Sequence, residues 1–386
     1  MNNRVIDFRM PQSLVMGVGA SRQLPDIIRK RGVKKVLLVT DQGIVKAGLV
    51  PVISAPIEAA GISVAVFDGV EPDPRIEVVA ACAAALKAAG AEAVIGLGGG
   101  SSIDIAKVAS VVAALGGQAG DYIGIDKIPG PGFPHFALPT TAGTGSEVTP
   151  IAVLSDTSAH LKKGIVSEHL YPSVAIVDPE LMVSAPPSVT AYTGMDTLTH
   201  AIEAYTNRFA VPFVDALALE AIRQTGLYLR RAVTCGIDID ARAGMARAAT
   251  LGGLCLGSVN TAAVHAMAYP LGGTYNVPHG LANTVLLAAV MEFNMPSNID
   301  KFAAIAEALG EQTRGLSRRE AALLAIKAVK ELSLDVGIPQ GMRYLGIPQD
   351  AIPKMAEGAI EVTRLMNNNP RAITVKDVQR IYENAY

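Results

Sequence analysis

The chain has no tryptophan, only 5% aromatic residues and only 18% charged residues, while half of it is hydrophobic. So little charge on so apolar a chain excludes a disordered, solvated polymer and predicts compact globular packing. Basic and acidic residues nearly cancel, 33 against 35, and no arm or stripe is strongly basic. A nucleic-acid partner is therefore not expected. A mean hydropathy of +0.34 raises the question of a membrane span. The best stretch, Val78 to Leu97, is interrupted by Lys87, Gly90 and Glu92, and no run approaches the ~20 apolar residues a span needs. The N-terminus, MNNRVIDFRM, lacks the apolar middle of a signal peptide. Three cysteines (Cys82, Cys235 and Cys255) are odd in number and widely spaced, which favours packing roles in a reducing compartment. These features together predict a soluble, cytoplasmic protein with no membrane partner.

What is present divides at the Pro186-Pro187 pair. Before it, KVLLVT (35–40), ISVAVF (62–67) and AVIGL (93–97) read as strands, with helical patterns running to Gly61, over Ile76–Ala89 and over Ser101–Leu115. Shorter strands are expected near 136–138, 151–154, 164–166 and 174–177. Such alternation predicts βαβ units in a parallel sheet covered on both faces. After it, helical periodicity dominates: 191–206, 213–231, 241–259, 283–291, 299–308, 318–332, 352–364 and 375–384. The expectation is an α/β domain over 1–186 and an all-helical domain over 187–386.

Three strings in the first half suit a dinucleotide. VIGLGGGSSIDIAK (94–107) runs strand, glycine turn, helix. Gly98, Gly99 and Gly100 let backbone approach a ligand, Ser101 can cap the helix, and the helix N-terminus suits a pyrophosphate. The string also fits a plain tight turn, since Ile103 stands where the G-x-G-x-x-G fingerprint needs its third glycine. Asp41 ends a strand, where a carboxylate can hold a ribose. It precedes the glycines rather than following them by ~20 residues, and it is equally an ordinary turn residue. LPTTAGTGSEVT (138–149) gathers hydroxyls and glycines after another strand, either for a nucleotide or as a polar loop.

In the second half, TGMDTLTHAIEAYTN (193–207) sets Asp196 and His200 at i, i+4, one turn apart on one helical face. Glu203 is a further neighbour. Such a pair can grip a divalent cation or be a satisfied structural contact. Of the six histidines, two more bracket HAMAYPLGGTYNVPHG: His265 in a helix-like run, and His279 in a sharp Pro-His-Gly loop. Three imidazoles and a carboxylate make a set that suits Zn²⁺ or Fe²⁺ better than Mg²⁺ or Ca²⁺.

GGGSSIDIAK, PTTAGTGSEVT, TGMDTLTHAIEAY and HAMAYPLGGTYNVPHGLAN occur in the order and spacing of the iron-containing (group III) alcohol dehydrogenases. The sequence resembles that family, in its propanediol and lactaldehyde branch, over nearly its whole length. The resemblance implies an NAD-binding α/β domain followed by an all-helical metal-binding and catalytic domain, in a dehydroquinate synthase-like architecture. It implies Asp196, His200, His265 and His279 as ligands of Fe²⁺, with Zn²⁺ as the alternative. It implies Gly98, Gly99, Gly100, Ser101 and Ser102 as the pyrophosphate loop, Asp41 as the acid favouring NAD over NADP, and Thr140, Thr141 and Thr144 as nucleotide contacts. Val153 and Lys162 align with further cofactor contacts.

The implied activity is NAD(H)-linked hydride transfer between short primary alcohols or diols and their aldehydes, with the metal polarising the substrate oxygen. The implied assembly is a homodimer or larger homo-oligomer. A hydroxyacid–oxoacid transhydrogenase that retains its nicotinamide is the alternative, and a lyase of the dehydroquinate synthase kind is a more distant one. Two positions depart from the pattern. Tyr269 replaces a frequent second histidine of an H-x-x-x-H pair, and is the candidate catalytic-site residue, orienting a substrate oxygen rather than relaying protons, or else packing. Asp73 stands where relatives often have asparagine.

Overall fold

The computed structural model describes residues 5–156 and 161–386; His160 lies outside them. The chain forms two compact units, Arg9–Ala185 and Pro186–Tyr386, the second also including the N-terminal segment that ends at Phe8. That segment is held by the Phe8 ring, edge-on to Phe213 at 4.9 Å between centroids.

The α/β unit contains strands β1 (Leu14–Met16), β2 (Lys35–Asp41), β3 (Ser63–Val70), β4 (Ala93–Gly98), β5 (Gly124–Ile125), β6 (His135–Pro139), β7 (Ile151–Asp156), β8 (Leu161–Val166) and β9 (Val174–Val177). Its helices are α1 (Leu24–Lys30), α2 (Gln42–Lys46), α3 (Leu49–Ala59), α4 (Ile76–Ala88) and α5 (Gly100–Leu115). Six strands make one parallel sheet in the order β1-β9-β6-β4-β2-β3. β2 shows why it is covered on both faces. Val36 and Leu38 point into one core with α1 and α3, and Leu37 and Val39 into the other with α4 and α5. A strand buried on both sides reads as a continuous apolar run instead of an alternating one.

β7 and β8 do not join this sheet. They pair antiparallel with each other, and β5 joins β8, in a separate three-stranded sheet. β1, α1 and β5 carry no periodicity strong enough to be expected from sequence, and the helix expected to run to Gly61 is two helices.

The sheet order sets the site. From β2 the chain goes to β3 on one side and then to β4 on the other, so the order reverses between β2 and β4. Ligands in open α/β sheets bind outside the carboxyl ends of strands at such a switch point.

The helical unit comprises α6 (Pro187–Thr206), α7 (Pro212–Thr234), α8 (Ile239–Leu256), α9 (Ala263–Tyr275), α10 (His279–Asn294), α11 (Ile299–Ala308), α12 (Arg318–Asp335), α13 (Ile352–Ile360), α14 (Thr363–Met366) and α15 (Val375–Asn384). The helix expected over 352–364 is broken at Val362, whose ψ of 56° is not helical, into α13 and α14. α6 is the central element, packed against α7, α8 and α10 and buried continuously from Gly194 to Thr206. A helix buried all round should be apolar all round. α6 instead buries Asp196, His200 and Glu203, and such a violation marks a functional position. No helix among the described residues is long and apolar enough to cross a membrane.

One histidine of the α/β unit is purely internal. His135 on β6 is buried with both ring nitrogens lacking hydrogen-bond partners among the described residues. Burial, aided by the Lys107 ammonium, lowers its pKa from 6.5 to about 3. It therefore stays neutral in the fold while the unfolded chain takes up a proton below pH 6.5. Stability is lost as pH falls through that window. His135→Phe should lose less stability than the wild type between pH 7 and about 4, read from denaturant midpoints of both proteins at each pH.

Candidate functional site

In the α/β unit, the three polar strings meet at the carboxyl edge of adjacent strands. Asp41 ends β2, Gly98 ends β4, and Thr140 follows β6, its N–H donating to the Gly98 carbonyl at 2.9 Å. Asp41 caps the turn that follows β2, as the sequence allowed. Its Oδ1 caps α2, accepting from the Gly43 and Ile44 N–H groups at 2.8 and 3.1 Å. Its Oδ2 faces the glycine turn and accepts from the buried Ser102 hydroxyl at 3.3 Å. An acid far ahead of the glycines in sequence reaches them because β2 and β4 are neighbours.

Ser101 does not cap α5: the N-cap residue is Gly99, without a side-chain cap, and Ser101 sits in the first turn. That leaves the backbone N–H groups there without an internal acceptor, as an anion site requires. The cradle is tight. A Cβ on Gly100 would stand 2.7 Å from Thr144 Cγ2, and one on Gly99 3.4 Å from Thr141 Oγ1. Val153 and Lys162 lie on the small sheet and are engaged there. The Val153 N–H donates to Asp104 at 2.9 Å, and Lys162 pairs with Asp73 at 2.5 Å. Asp73 adopts a left-handed φ of 51°, a conformation that asparagine and aspartate tolerate best among non-glycine residues.

The sequence reading missed what holds this loop. Lys107 on α5 is fully buried, and its ammonium donates to Ser146 Oγ (3.0 Å), the Thr149 carbonyl (2.9 Å) and hydroxyl (3.2 Å), and the Ile151 carbonyl (2.9 Å). Asp104, one turn earlier, accepts from Ser146 Oγ and lies 4.0 Å from Lys107. Burial lowers the Lys107 pKa to about 8, the Asp104 and Glu147 carboxylates opposing the shift. The aspartate and lysine of GGGSSIDIAK thus fasten the threonine loop to the glycine helix.

In the helical unit, Asp196 is the centre. Its Oδ1 is 3.9 Å from His200 Nε2, 3.7 Å from His265 Nε2 and 4.0 Å from His279 Nε2. Asp196, His265 and His279 offer donor atoms all within 4.8 Å of one another. His200 comes to the same carboxylate oxygen while stacking on His265, with centroids 4.7 Å apart and 19° between planes. Burial would raise the Asp196 carboxyl, but the three imidazoles in their charged form and the Asn283 amide outweigh it and hold it at about 2. A bound cation supplies the same positive field without protonating them.

The donor set fits a metal. Glu203 is not one of the clustered donors. Its Oε2 holds His265 Nδ1 at 2.5 Å, and its Oε1 accepts from the Val264 N–H at 2.6 Å. With Nδ1–H donating to Glu203, the lone pair of His265 is on Nε2, which is buried with no hydrogen-bond partner among the described residues. This carboxylate–histidine arrangement is how proteins orient imidazole ligands of zinc and iron. Asn283, one turn after His279, was also missed. Its amide donates to Asp196 at 2.7 Å and lies 3.2 Å from His279 Nε2.

His279 is the first residue of α10, with Pro278 as N-cap, and not a loop residue. Proline's fixed φ pre-organises that entry. Gly280 permits the approach of α10 to α6, since a Cβ there would stand 2.3 Å from the Tyr192 carbonyl oxygen. Tyr269, one turn beyond His265 on α9, is half-buried. Burial raises its phenol pKa, with Arg364 pulling the other way.

The α/β unit with its glycine turn at the switch point, and the helical unit with its histidine–aspartate centre, define a metal-dependent oxidoreductase. Residues 11–179 match the iron-containing alcohol dehydrogenase family, and residues 190–386 match the C-terminal domain of the Fe-containing alcohol dehydrogenases. The chain is 42% identical to the 1,3-propanediol dehydrogenase of Citrobacter freundii, covering 100% of both proteins. It is 39% identical to the NAD-dependent methanol dehydrogenase of Bacillus methanolicus, covering 98% of this chain and 99% of that one. The structure superposes on that of a 1,3-propanediol oxidoreductase with a TM-score of 0.97, at 42% identity over 99% of this chain and 100% of the other. The chain belongs to the iron-containing alcohol dehydrogenase family, and it is an NAD(H)-linked oxidoreductase of alcohols and aldehydes. The transhydrogenase alternative is not favoured.

Glu203→Gln keeps the shape of the side chain but weakens its hold on His265 Nδ1. Metal affinity is expected to fall about 10- to 100-fold, measured by competition with a chromophoric chelator.

Proposed function

We propose that Asp196, His200, His265 and His279 bind one Fe²⁺, or Zn²⁺ in its place, and that the chain uses it to interconvert short primary alcohols or diols with their aldehydes. The observation that carries this reading is the buried, unpartnered Nε2 of His265, aimed at Asp196 while Glu203 fixes the opposite ring nitrogen. When bound, the metal polarises the substrate oxygen, and the nicotinamide exchanges hydride with the carbon that bears it.

The division of labour we infer is a cofactor domain over 1–186 and a metal-binding and catalytic domain over 187–386. Gly98, Gly99, Gly100, Ser101 and Ser102 would receive the pyrophosphate, and Thr140, Thr141 and Thr144 the polar groups beside it. The free N–H groups at the start of α5 and the tight fit of Gly100 against Thr144 support this. Asp41 Oδ2 would accept from the adenosine ribose, the role that favours NAD. Val153 and Lys162 would border the cofactor from the small sheet, with Asp73 already neutralising Lys162. Tyr269 would orient a substrate oxygen, because its raised phenol pKa makes it a donor and not a base. A homodimeric or larger cytoplasmic enzyme is the assembly and setting we infer.

His279→Ala removes the most exposed of the three imidazoles around Asp196 while leaving α6 and α9 intact. Activity with NADH and a short aldehyde should fall by at least about 100-fold, with the bound metal reduced and the circular dichroism spectrum preserved. Full activity in metal-free protein would overturn the reading. Asp41 bears a charge that a 2′-phosphate would meet at close range. Asp41→Gly should therefore lower the ratio of kcat/KM for NAD over NADP by about tenfold or more. A wild-type preference for NADP would remove Asp41 from the ribose.

A further inference from the structure

Gly100, Asp104 and Lys107 stand at i, i+4 and i+7 on α5, along one stripe of the helix. The loop after β6 follows that stripe. Thr144 packs on Gly100, where a Cβ would come within 2.8 Å of the threonine hydroxyl oxygen. Gly145, with a left-handed φ of 62°, then turns the chain, and Ser146 meets the two ions one and two turns further along α5. Ser146 is buried and its hydroxyl is used both ways: it donates to Asp104 Oδ1 and accepts from the Lys107 ammonium at 3.0 Å. The other Asp104 oxygen accepts from the Val153 N–H at 2.9 Å, and Lys107 also donates to Thr149 and Ile151. Buried ions matched this fully resist displacement, because any shift leaves a desolvated group unanswered.

The backbone of Ser146 has a separate task. Its N–H donates to Thr144 Oγ1 at 3.2 Å. A hydroxyl that accepts in this way still has its own proton to give, and no acceptor for the Thr144 proton is present among the described residues. That half-buried hydroxyl lies beside the first turn of α5, where Gly99 is the N-cap without a side-chain cap and the backbone N–H groups lack internal acceptors. One more donor there enlarges the set offered to an anion at the helix start. Closing the loop does not by itself require this arrangement, since the Thr140 N–H already ties it to the Gly98 carbonyl at 2.9 Å.

We propose that Ser146 is a positioning residue for the dinucleotide: held by Asp104 and Lys107, it fixes Thr144 so that the threonine hydroxyl donates to the pyrophosphate at the start of α5. This rests on the reading of the glycine turn and threonine loop as the cofactor site, and it adds to that site a residue that acts through Thr144. Asp104 holds Ser146 with one oxygen and the start of the small sheet with the other. The loop and β7 are thereby referenced to the same helix that presents the N–H groups. Donors set in advance cost little reorganisation when the anion arrives, so the locking of Ser146 appears as cofactor affinity.

NADH titrations of the metal-loaded enzyme, followed by cofactor fluorescence, test this in wild type, Ser146→Ala, Thr144→Val and the double variant. Ser146→Ala should weaken NADH binding about tenfold, the size of one lost buried hydrogen bond to a charged group. In turnover the loss should fall on KM for NADH, while kcat at saturating NADH, KM for the aldehyde and the metal content stay at wild-type values. Because Ser146 acts through Thr144, the double variant should bind NADH no more weakly than Thr144→Val alone, whereas independent losses would add. Ser146→Thr, which keeps the hydroxyl, should restore most of the affinity. Unchanged NADH binding in Ser146→Ala, or additive losses in the double variant, overturns the proposal. If Thr144→Val weakens NADH and Ser146→Ala does not, the positioning role alone fails. Wild-type affinity in Thr144→Val would instead remove the loop from the cofactor site, and the proposal with it. Should the alanine variant not fold, Ser146→Cys, with its weaker S–H donor, carries the same cycle.

Discussion

The Asp196 carboxylate is buried at the centre of the helical unit, and the surrounding architecture compensates the cost of that burial. An isolated buried charge is untenable, while breaking a well-paired one costs roughly 3–5 kcal/mol. Asp196 is answered by three imidazoles from three helices and by the Asn283 amide. Each of those groups is fixed in turn. His200 is one turn along the same helix, His265 is held by Glu203, and His279 is placed by Pro278 and by the close approach at Gly280. The polar centre therefore dictates how α6, α9 and α10 meet, and the apolar packing fills in around it.

The α/β unit solves the same problem with opposite sign. Lys107 is a buried ammonium whose acceptors come from the threonine-rich loop and the start of β7. Losing it would leave several buried oxygens without a donor and the Asp104 carboxylate without its nearby cation, and the loop that carries Thr140, Thr141 and Thr144 would lose its fastening. In both units ionisable side chains are buried inside a helix, Asp104 and Lys107 on α5 and Asp196, His200 and Glu203 on α6, so their geometry is set by desolvated electrostatics. Such pairs tolerate little displacement, because the interaction is strong only while every lone pair and proton is matched.

Much of this was legible in the residues. The continuous apolar runs of β2, β4 and β6 and the glycine turn after β4 announce a parallel sheet. The i, i+4 spacing of Asp196 and His200 places both on one face of a helix wherever that helix lies. What lay outside local pattern was less visible. β7 has the apolar texture of the central strands, yet it pairs with β8 outside the main sheet, because strand pairing is decided between segments and not within them. The His279 loop is a helix start, because Pro278 favours helix entry as readily as a turn. Glu203 lay in plain view three residues beyond His200, but its task, orienting His265, needs a partner sixty residues away.

The sequence by itself determined the periodicities, the chemistry of the side chains available and the spacing of candidate metal ligands that share one helix. These follow from local geometry: a fixed turn per residue and a fixed alternation along a strand. Only the tertiary structure decided that β2 and β4 are neighbours, which brings Asp41 to Gly98, and that α10 approaches α6 closely enough for His279 to reach Asp196. These meetings depend on how separate elements share a core, where many contacts compete and the winning arrangement is the one that leaves the fewest buried charges and donors unanswered.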